Sequence, residues 1–483
     1  MNRPIRRLSI ACLVLMLSLL IADNMIQLVQ ANSLRARPQN SRQREMDLAR
    51  QRGPIVVAGK SVAESVPVND VYEYQRRYPG GGLYAPVTGY FSIVSSTQVE
   101  QAETGVLAGT DRRLFIRRLS DYFTGRQPKG GTVVLTLDPA TQLAAAAALG
   151  NRRGAVVALD PKTGAMLALV TSPTYDPNLL AVHDGTTLNT NDRRLTSDPA
   201  KPLLDRGTEL TYPPGSTFKL ITAAAALSSG KYTPDTQIDA PNSLKLPQSS
   251  AVLNNFGGET CAASQRESLL DALTTSCNTA FAKLGLTLGD AALRDQARKF
   301  GFDTTISGFP LRQAASIFPD KLDQPQTALS AIGQFDVRST PLQMAMVTAA
   351  IANGGKEMKP YVVKQTLAPD LSPLTTTSPQ QIAQPIDGNV AAELTTMMEN
   401  VVNQGTGVNA QLAGVPVAGK TGTAQNAVGQ APHSWFVAFA PANDPRIAVC
   451  VFVENSGGDQ GGQGGVTAAP IARSVMAAAL GVS

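Results

Sequence analysis

The chain has 483 residues, 43% of them hydrophobic, and this length suits two or three domains. Its 42 Lys and Arg against 37 Asp and Glu give a net charge of +5 without a dense basic run that interleaves aromatic residues, so no nucleic-acid partner is expected. The two histidines, His183 and His433, leave little room for a Ser-His-Asp triad or a multi-histidine metal site. The four cysteines form no Cys-x-x-Cys pair. We therefore expect neither a metal nor a cofactor.

The N-terminus is predicted to hold a membrane anchor. Residues 8–29 are 22 mostly apolar residues, and about 20 such residues span a bilayer as a helix. The alternative is a cleaved signal peptide, because residues 29–31 form an acceptable cleavage site. The apolar segment continues beyond Asp23, which favours the anchor. We expect residues 1–7 to be a cytoplasmic tail, residues 8–29 to cross the cell membrane once, and the chain from residue 30 onward to lie outside the cytoplasm.

Residues 30–151 have a different composition from the rest of the chain. Turn signals at 78–82 and 128–131 alternate with short strand-like pieces such as Val133–Leu137. We find no catalytic constellation in this segment and interpret it as a spacer or interaction domain.

Residues 152–483 are predicted to form an α/β (α+β) domain. Two buried strands, 156–160 and 166–170, flank a four-residue turn, and strands follow near 434–440 and 446–453 before an Ala-rich helix from about 468. Helices are predicted between them, at about 217–228, 266–284, 291–300 and 341–352. Strands at both ends with helices between predict an antiparallel sheet that is covered by helices.

Ser216 is the candidate nucleophile. The preceding Pro-Pro-Gly forces a turn, after which Ser216 opens a helix. Lys219 is three residues further on and shares the same face, which would place its Nζ beside Ser216 Oγ. A desolvated lysine near another cation favours its neutral form and can accept the serine proton. The pattern alone is weak, since a second Ser-x-x-Lys at 228–231 marks a helix end at Gly230.

Ser276 and Asn278 supply a second element. Two residues apart at a helix end, both can reach a cleft, where a hydroxyl relays a proton and an amide orients substrate. Cys277 lies between them and is 16 residues from Cys261. These cysteines could pair outside the cell, but two separate buried thiols are favoured because Cys277 sits between two site residues.

The third element is Lys420-Thr421-Gly422-Thr423. On an edge strand, Lys420 and Thr421 would face the cleft and bind a carboxylate, and Gly422 would let a substrate backbone approach closely. Another Lys-Thr-Gly begins at Lys162 but follows Asp-Pro, as in a plain turn. Residues 414–421 also satisfy the nucleotide-binding P-loop pattern. That interpretation is disfavoured, since a P-loop must open a helix and Gly422 follows at once.

The order and spacing of these three elements make the signal specific. Ser-x-x-Lys at 216, Ser-x-Asn at 276 and Lys-Thr-Gly-Thr at 420 form the set of penicillin-binding proteins and serine β-lactamases. The whole chain resembles class B penicillin-binding proteins, in particular their actinobacterial A type, and further matching stretches lie at 154–178, 331–334, 340–343 and 433–441. One departure is Val56–Gly59, where many relatives carry Asp-Arg-Asn-Gly; it bears on the N-terminal domain and not on the site.

The resemblance implies a serine D,D-transpeptidase that cross-links peptidoglycan stem peptides and is inhibited by β-lactams. Ser216 would attack the penultimate D-alanine carbonyl, release terminal D-alanine and pass the acyl group to a neighbouring amine. Lys219 would be the general base, supported by Ser276 and Asn278. A non-catalytic β-lactam-binding division scaffold and a D,D-carboxypeptidase remain alternatives. A β-lactamase is disfavoured, since no Glu-x-x-Leu-Asn segment lies between 279 and 419.

The resemblance also implies roles for the third motif and for the N-terminal domain. Lys420, Thr421 and Thr423 would hold the substrate carboxylate, and the backbone N–H groups of Ser216 and Thr423 would form the oxyanion hole. Residues 30–150 would be a pedestal close to the membrane. Partners would be proteins of cell division or elongation, including a polytopic glycosyltransferase.

Overall fold

The computed structural model describes residues 3–30, 34, 48–115, 123–125, 129–425, 430–456 and 463–482. At the N-terminus, helix α1 (Arg3–Asn24) continues as a short π-helix, Met25–Val29. Residues Arg3–Gln27 form the one helix among the described residues that is long and apolar enough to cross a membrane. None of the residues of α1 is buried against the rest of the protein.

The remaining elements follow in chain order. The helices are α2 (Ala85–Thr88), α3 (Gln98–Ala102), α4 (Thr104–Leu107), α5 (Pro139–Leu149), α6 (Gly185–Ser197), α7 (Lys219–Ser228), α8 (Leu269–Thr275), α9 (Asn278–Leu288), α10 (Asp290–Lys299), α11 (Gln324–Ser330), α12 (Pro341–Ala352), α13 (Gly388–Asn403) and α14 (Gly464–Leu480). The strands are β1 (Ile55–Val57), β2 (Lys60–Pro67), β3 (Tyr74–Arg77), β4 (Thr132–Leu135), β5 (Gly154–Leu159), β6 (Met166–Ser172), β7 (Gln237–Asp239), β8 (Ser243–Lys245), β9 (Val252–Asn254), β10 (Arg266–Ser268), β11 (Glu357–Met358), β12 (Val363–Leu367), β13 (Pro373–Thr376), β14 (Gln381–Ala383), β15 (Ala418–Ala424), β16 (His433–Ala440) and β17 (Ile447–Val453).

One sheet joins the N-terminal segment to a hairpin from the second half of the chain. Its order is β13-β12-β4-β1-β2-β3, with β1 parallel to β4 and β12 antiparallel to β4. Ile55 pairs with Val133 at its centre, and both are fully buried. The sheet therefore crosses the predicted division at residue 151, because β12 and β13 lie far beyond it in the chain.

The central sheet carries the candidate site. Its order is β15-β16-β17-β5-β6, and every neighbouring pair is antiparallel, which confirms the predicted helix-covered antiparallel sheet. Val157 and Val437 face the core formed with α7 and α12, whereas Val156 and Phe436 face the core formed with α5 and α14. This alternation follows from the two-residue period of a strand. Strand β15 lies at the edge of this sheet.

The predicted helix at 266–284 is wrong as a single element. Residues 266–268 form β10, and the helical part is divided into α8 and α9 at Ser276 and Cys277. Ser276 adopts the left-handed conformation, with φ of +62°, and this ends α8. The apolar periodicity continues through the break, which hides it in the sequence.

Candidate active site

The turn that carries Ser216 is fixed on two sides. A single 3₁₀ turn, Gly215–Phe218, precedes α7, and Ser216 is partly exposed on it. Gly215 has φ of +54°, and a Cβ there would lie 2.6 Å from the carbonyl oxygen of Thr423 on β15. Its N–H donates a 3.0 Å hydrogen bond to the carbonyl of Gly333. Ser216, the candidate nucleophile, is thus presented on a turn that packs directly against β15.

Lys219 connects the first motif to the second. It is the first residue of α7 and is fully buried. Its Nζ donates to the carbonyl oxygen of Ser276 at 2.6 Å and to Asn278 Oδ1 at 2.8 Å, and it lies 3.3 Å from Ser276 Oγ. Among the described residues these are the hydrogen bonds of Lys219 Nζ, and none of them goes to Ser216 Oγ, which it was expected to lie beside.

The second motif occupies the break between α8 and α9. Cys277 is buried, whereas Ser276 and Asn278 are partly exposed and turn toward the lysine, as the spacing predicted. Cys277 forms a disulfide with Cys261, with 5.9 Å between their Cα atoms. The favoured expectation of two separate thiols is therefore wrong. A covalent bond here fixes the residue between the two functional side chains to a neighbouring segment.

The third motif brings Lys420 to Ser276, the serine that Lys219 also contacts. Lys420 is fully buried on β15, and its Nζ donates to Ser276 Oγ at 2.8 Å and to the carbonyl of Thr421 at 3.1 Å. Thr421 Oγ1 is 2.6 Å from Thr406 Oγ1 and 3.4 Å from Lys420 Nζ, at the margin of this cluster. Ser276 Oγ thus accepts a bond from Lys420 and lies within reach of Lys219, which leaves its own proton available to a third group.

The lack of a side chain at Gly422 was expected to admit a substrate backbone, but the structure gives a different reason for it. A Cβ there would lie 2.9 Å from Thr217 Cγ2, 3.1 Å from the carbonyl oxygen of Pro214 and 2.8 Å from Trp435 Cβ. Protein atoms rather than an approaching substrate backbone occupy that space. The missing side chain lets the Ser216 turn pack on β15, and Thr423 follows on the strand beside Gly215.

Burial and mutual repulsion shift the lysine equilibria. Burial lowers the pKa of Lys219 well below its usual value, the charge of Lys420 lowers it further, and Glu267 opposes both. Burial also lowers the pKa of Lys420, to about 7. The pKa of the Glu267 carboxyl rises to about 7, mainly through burial and then through Asp271. Two buried ammonium groups so close together favour the loss of one proton, and Lys219 can therefore serve as a base.

The other sequence matches to catalytic or nucleotide-binding motifs do not contribute to the cluster around Ser276. Lys162, in the turn between β5 and β6, has a side chain that is 54% exposed and pairs with Asp444. Gly230 has φ of +70° just after α7 and marks its end, as predicted. The stretch 414–421 leads into strand β15 and not into a helix, so it lacks the geometry of a P-loop.

Comparison with known proteins agrees with this geometry. Residues 154–477 match the penicillin-binding protein transpeptidase domain, and residues 52–133 match the penicillin-binding protein A dimerisation domain. The chain is 46% identical over 489 residues to the peptidoglycan D,D-transpeptidase PbpA of Mycolicibacterium smegmatis, with 99% of each chain covered. It is 44% identical to penicillin-binding protein A of Mycobacterium tuberculosis in a ceftriaxone acyl-enzyme complex, with a TM-score of 0.87 over 90% of this chain and 100% of that one. The penicillin G acyl-enzyme complex of that protein gives 45% identity and a TM-score of 0.85, over 89% of this chain and 100% of that chain. The chain therefore belongs to the penicillin-binding protein transpeptidase family.

Proposed function

We propose that the chain is a peptidoglycan D,D-transpeptidase that works through an acyl-enzyme on Ser216. The observation that carries this proposal is the convergence of three separate motifs on one hydroxyl, Ser276 Oγ, which lies 3.3 Å from Lys219 Nζ and 2.8 Å from Lys420 Nζ. A serine on a helix-opening turn with a neutral lysine nearby is suited to nucleophilic acyl transfer. The relatives that are named for this activity support it.

In the acylation step Ser216 Oγ attacks the penultimate D-alanine carbonyl of a stem peptide, and Lys219 accepts the hydroxyl proton. Ser276 passes its proton to the leaving nitrogen and regains one from Lys219, the peptide C–N bond breaks, and terminal D-alanine departs with a free amino group. In the second step a neighbouring stem-peptide amine attacks the ester, and Ser216 recovers its proton. A β-lactam enters the same sequence but retains its leaving group, so it stays on Ser216 as a covalent adduct.

The edge strand supplies the binding groups in this proposal. Lys420, Thr421 and Thr423 hold the substrate carboxylate, and charge-assisted hydrogen bonds of this kind are among the stronger ones. The N–H groups of Ser216 and Thr423 stabilise the oxyanion. The close packing of Gly215 on Thr423 supports this arrangement: a Cβ on Gly215 would lie 2.6 Å from the carbonyl oxygen of Thr423. The N–H groups of Ser216 and Thr423 therefore belong to adjoining backbone segments.

The location follows from the same proposal. Helix α1 anchors the chain in the cell membrane by a single pass, and the catalytic domain lies outside the cytoplasm, where peptidoglycan is assembled. Residues 30–151 act as a pedestal that contacts proteins of cell division, cell shape or elongation, including a polytopic glycosyltransferase. The match of residues 52–133 to a dimerisation domain supports an interaction role for this part of the chain.

The test is the covalent adduct with penicillin. Intact mass spectrometry of the full-length protein in detergent should show one penicilloyl adduct in the wild type and none in Ser216→Ala. Ser228→Ala, in the second Ser-x-x-Lys, is the matched control and should keep the adduct. An adduct that persists in Ser216→Ala would contradict the assignment of the nucleophile. A D-Ala-D-Ala peptide with an acceptor amine should then yield the cross-linked product, whereas hydrolysis alone would favour a carboxypeptidase.

A further inference from the structure

A segment before the second motif holds that motif from outside. This clamp segment, residues 252–261, consists of β9, Asn255, a 3₁₀ turn at Phe256–Gly258 and the chain up to Cys261. It reaches the break between α8 and α9 at three points. Cys261 forms the disulfide with Cys277, the Asn254 carbonyl accepts a 3.4 Å bond from Asn278 Nδ2, and Asn255 contacts the first turn of α9.

Asn255 makes the most extensive of these contacts. Its side chain is buried, with 7% of its surface exposed. Oδ1 accepts hydrogen bonds from the backbone N–H of Asn278 at 3.0 Å and of Thr279 at 3.1 Å, and it is 3.3 Å from Thr279 Oγ1. Nδ2 donates to the carbonyl of Glu259 at 3.1 Å. Every polar atom of this amide is therefore committed to holding two pieces of backbone together.

These bonds replace a cap that the helix does not supply for itself. The first N–H groups of any α-helix have no partner within the helix, and a side-chain oxygen usually accepts from one of them. In α9 the capping position is Cys277, whose side chain makes no such bond and is tied up in the disulfide. Asn255 provides the missing acceptor from 23 residues upstream of Asn278.

The capped residue is also a partner of the general base. Asn278 N–H binds Asn255, while Asn278 Oδ1 accepts the 2.8 Å bond from Lys219 Nζ. Ser276, which contacts both lysines, stands two residues earlier on the same backbone. A shift of the first turn of α9 would move both acceptors of Lys219 together, and a displacement of about 1 Å is enough to slow a reaction strongly.

We propose that Asn255 is a positioning residue for acylation. It caps α9 from a distant segment of the same chain and so holds Asn278 and Ser276 against Lys219. This inference rests on the proposed function, because it concerns the rate of the same acylation step. Among the described residues, Asn255 makes hydrogen bonds to Glu259 and to the first turn of α9, and none to Ser216. Its oxygen is what matters, so an aspartate, which keeps an acceptor at that position, should substitute for it where an alanine does not.

The experiment compares Asn255→Ala, Asn255→Asp and Asp138→Ala in the full-length protein. Asp138 is the matched control: its carboxylate caps α5 by accepting from Thr141 N at 2.8 Å and Thr141 Oγ1 at 2.6 Å, and α5 carries no site residue. The readout is the second-order rate of acylation by fluorescent penicillin, with thermal melting alongside. We expect about a tenfold loss of rate in Asn255→Ala, near wild-type rates within about threefold in Asn255→Asp, and less than about twofold change in Asp138→Ala. Both alanine variants should lower the Tm by a few degrees.

Three outcomes would overturn the positioning role. They are an Asn255→Ala rate within about twofold of wild type, an Asn255→Asp variant as slow as the alanine, and an Asp138→Ala variant slowed to the same extent. Should Asn255→Ala not fold, Asn255→Ser takes its place with the same expected loss, because its oxygen cannot reach α9. A wild-type protein that penicillin does not acylate on Ser216 would instead remove the proposed function. If the wild type is acylated on Ser216 and Asn255→Ala is acylated at the same rate, only this inference is removed.

Discussion

Replacing Lys420 by methionine tests the electrostatic part of the site. The substitution keeps the length of a fully buried side chain but removes its charge and its 2.8 Å bond to Ser276 Oγ. A hydrogen bond from a charged group is worth about 1.5–3 kcal/mol, which corresponds to a rate loss on the order of ten- to a hundredfold. Lys162→Met is the matched control, because Lys162 heads an identical triplet but is half exposed and pairs only with Asp444 among the described residues. A surface substitution of this kind should change the rate by less than about twofold.

The pH dependence of the same variant gives a second, independent readout. The proposed acylation step needs neutral Lys219, and the charge of Lys420 lowers the pKa of Lys219. Without that charge the pKa of Lys219 rises, so the acid limb of the rate profile should move to higher pH. Because burial brings the pKa of Lys420 itself to about 7, its charge acts chiefly below that pH, and the ratio of wild-type to variant rates should fall as pH rises. The second-order rate of penicillin acylation, measured from acid to alkaline pH, reports both effects. An unchanged acylation rate in Lys420→Met, or a strongly reduced rate in Lys162→Met, would refute the assignment of the site.

Two further substitutions probe the surroundings of Ser216 and Lys219. When ionised, Glu267 raises the pKa of Lys219, so Glu267→Gln should lower that pKa and move the acid limb of acylation to lower pH; a shift to higher pH would contradict the electrostatic role. Gly333→Ala should slow acylation by about tenfold or more, because its Cβ would lie 2.2 Å from the carbonyl oxygen of Gly215 and displace the nucleophile turn. Gly354→Ala is its control: it also has a positive φ but open space around it, so it should cost about 1–2 kcal/mol of stability while the rate of acylation stays unchanged. Equal rates in the two alanine variants would show that the contact with Gly215 is unimportant.

The elements that the sequence predicted well are those with a strong local pattern. The hairpin of β5 and β6, the strands β16 and β17 and the helix α12 each show a continuous apolar run or period. The clustering of Lys219, Ser276 and Lys420 was predicted from motif order, since no local pattern brings together residues that are 57 and 144 positions apart.

The features that the sequence did not reveal depend on contacts between distant segments. Helix α5 is an exception: it was not among the predicted helices, although Asp138 followed by Pro139 is a local signal for a helix start, an N-cap with proline in the first turn. Asn255 carries no comparable signal, because its role depends on a helix that begins 23 residues later. The disulfide of Cys277 was likewise undecided by spacing, since pairing depends on where Cys261 lies in space.

The sheet that joins β4 to β12 has a consequence for modularity. A catalytic fragment that began at residue 152 would keep β12 and β13 but lose β4, and the backbone N–H and C=O groups of β12 would then form an open edge. Such an edge is a template for association with other chains. The separated N-terminal segment would lose β12, the partner of β4. An exchange of N-terminal domains between relatives would therefore have to carry residues 52–137 and 361–377 together, because strands from both stretches form one sheet.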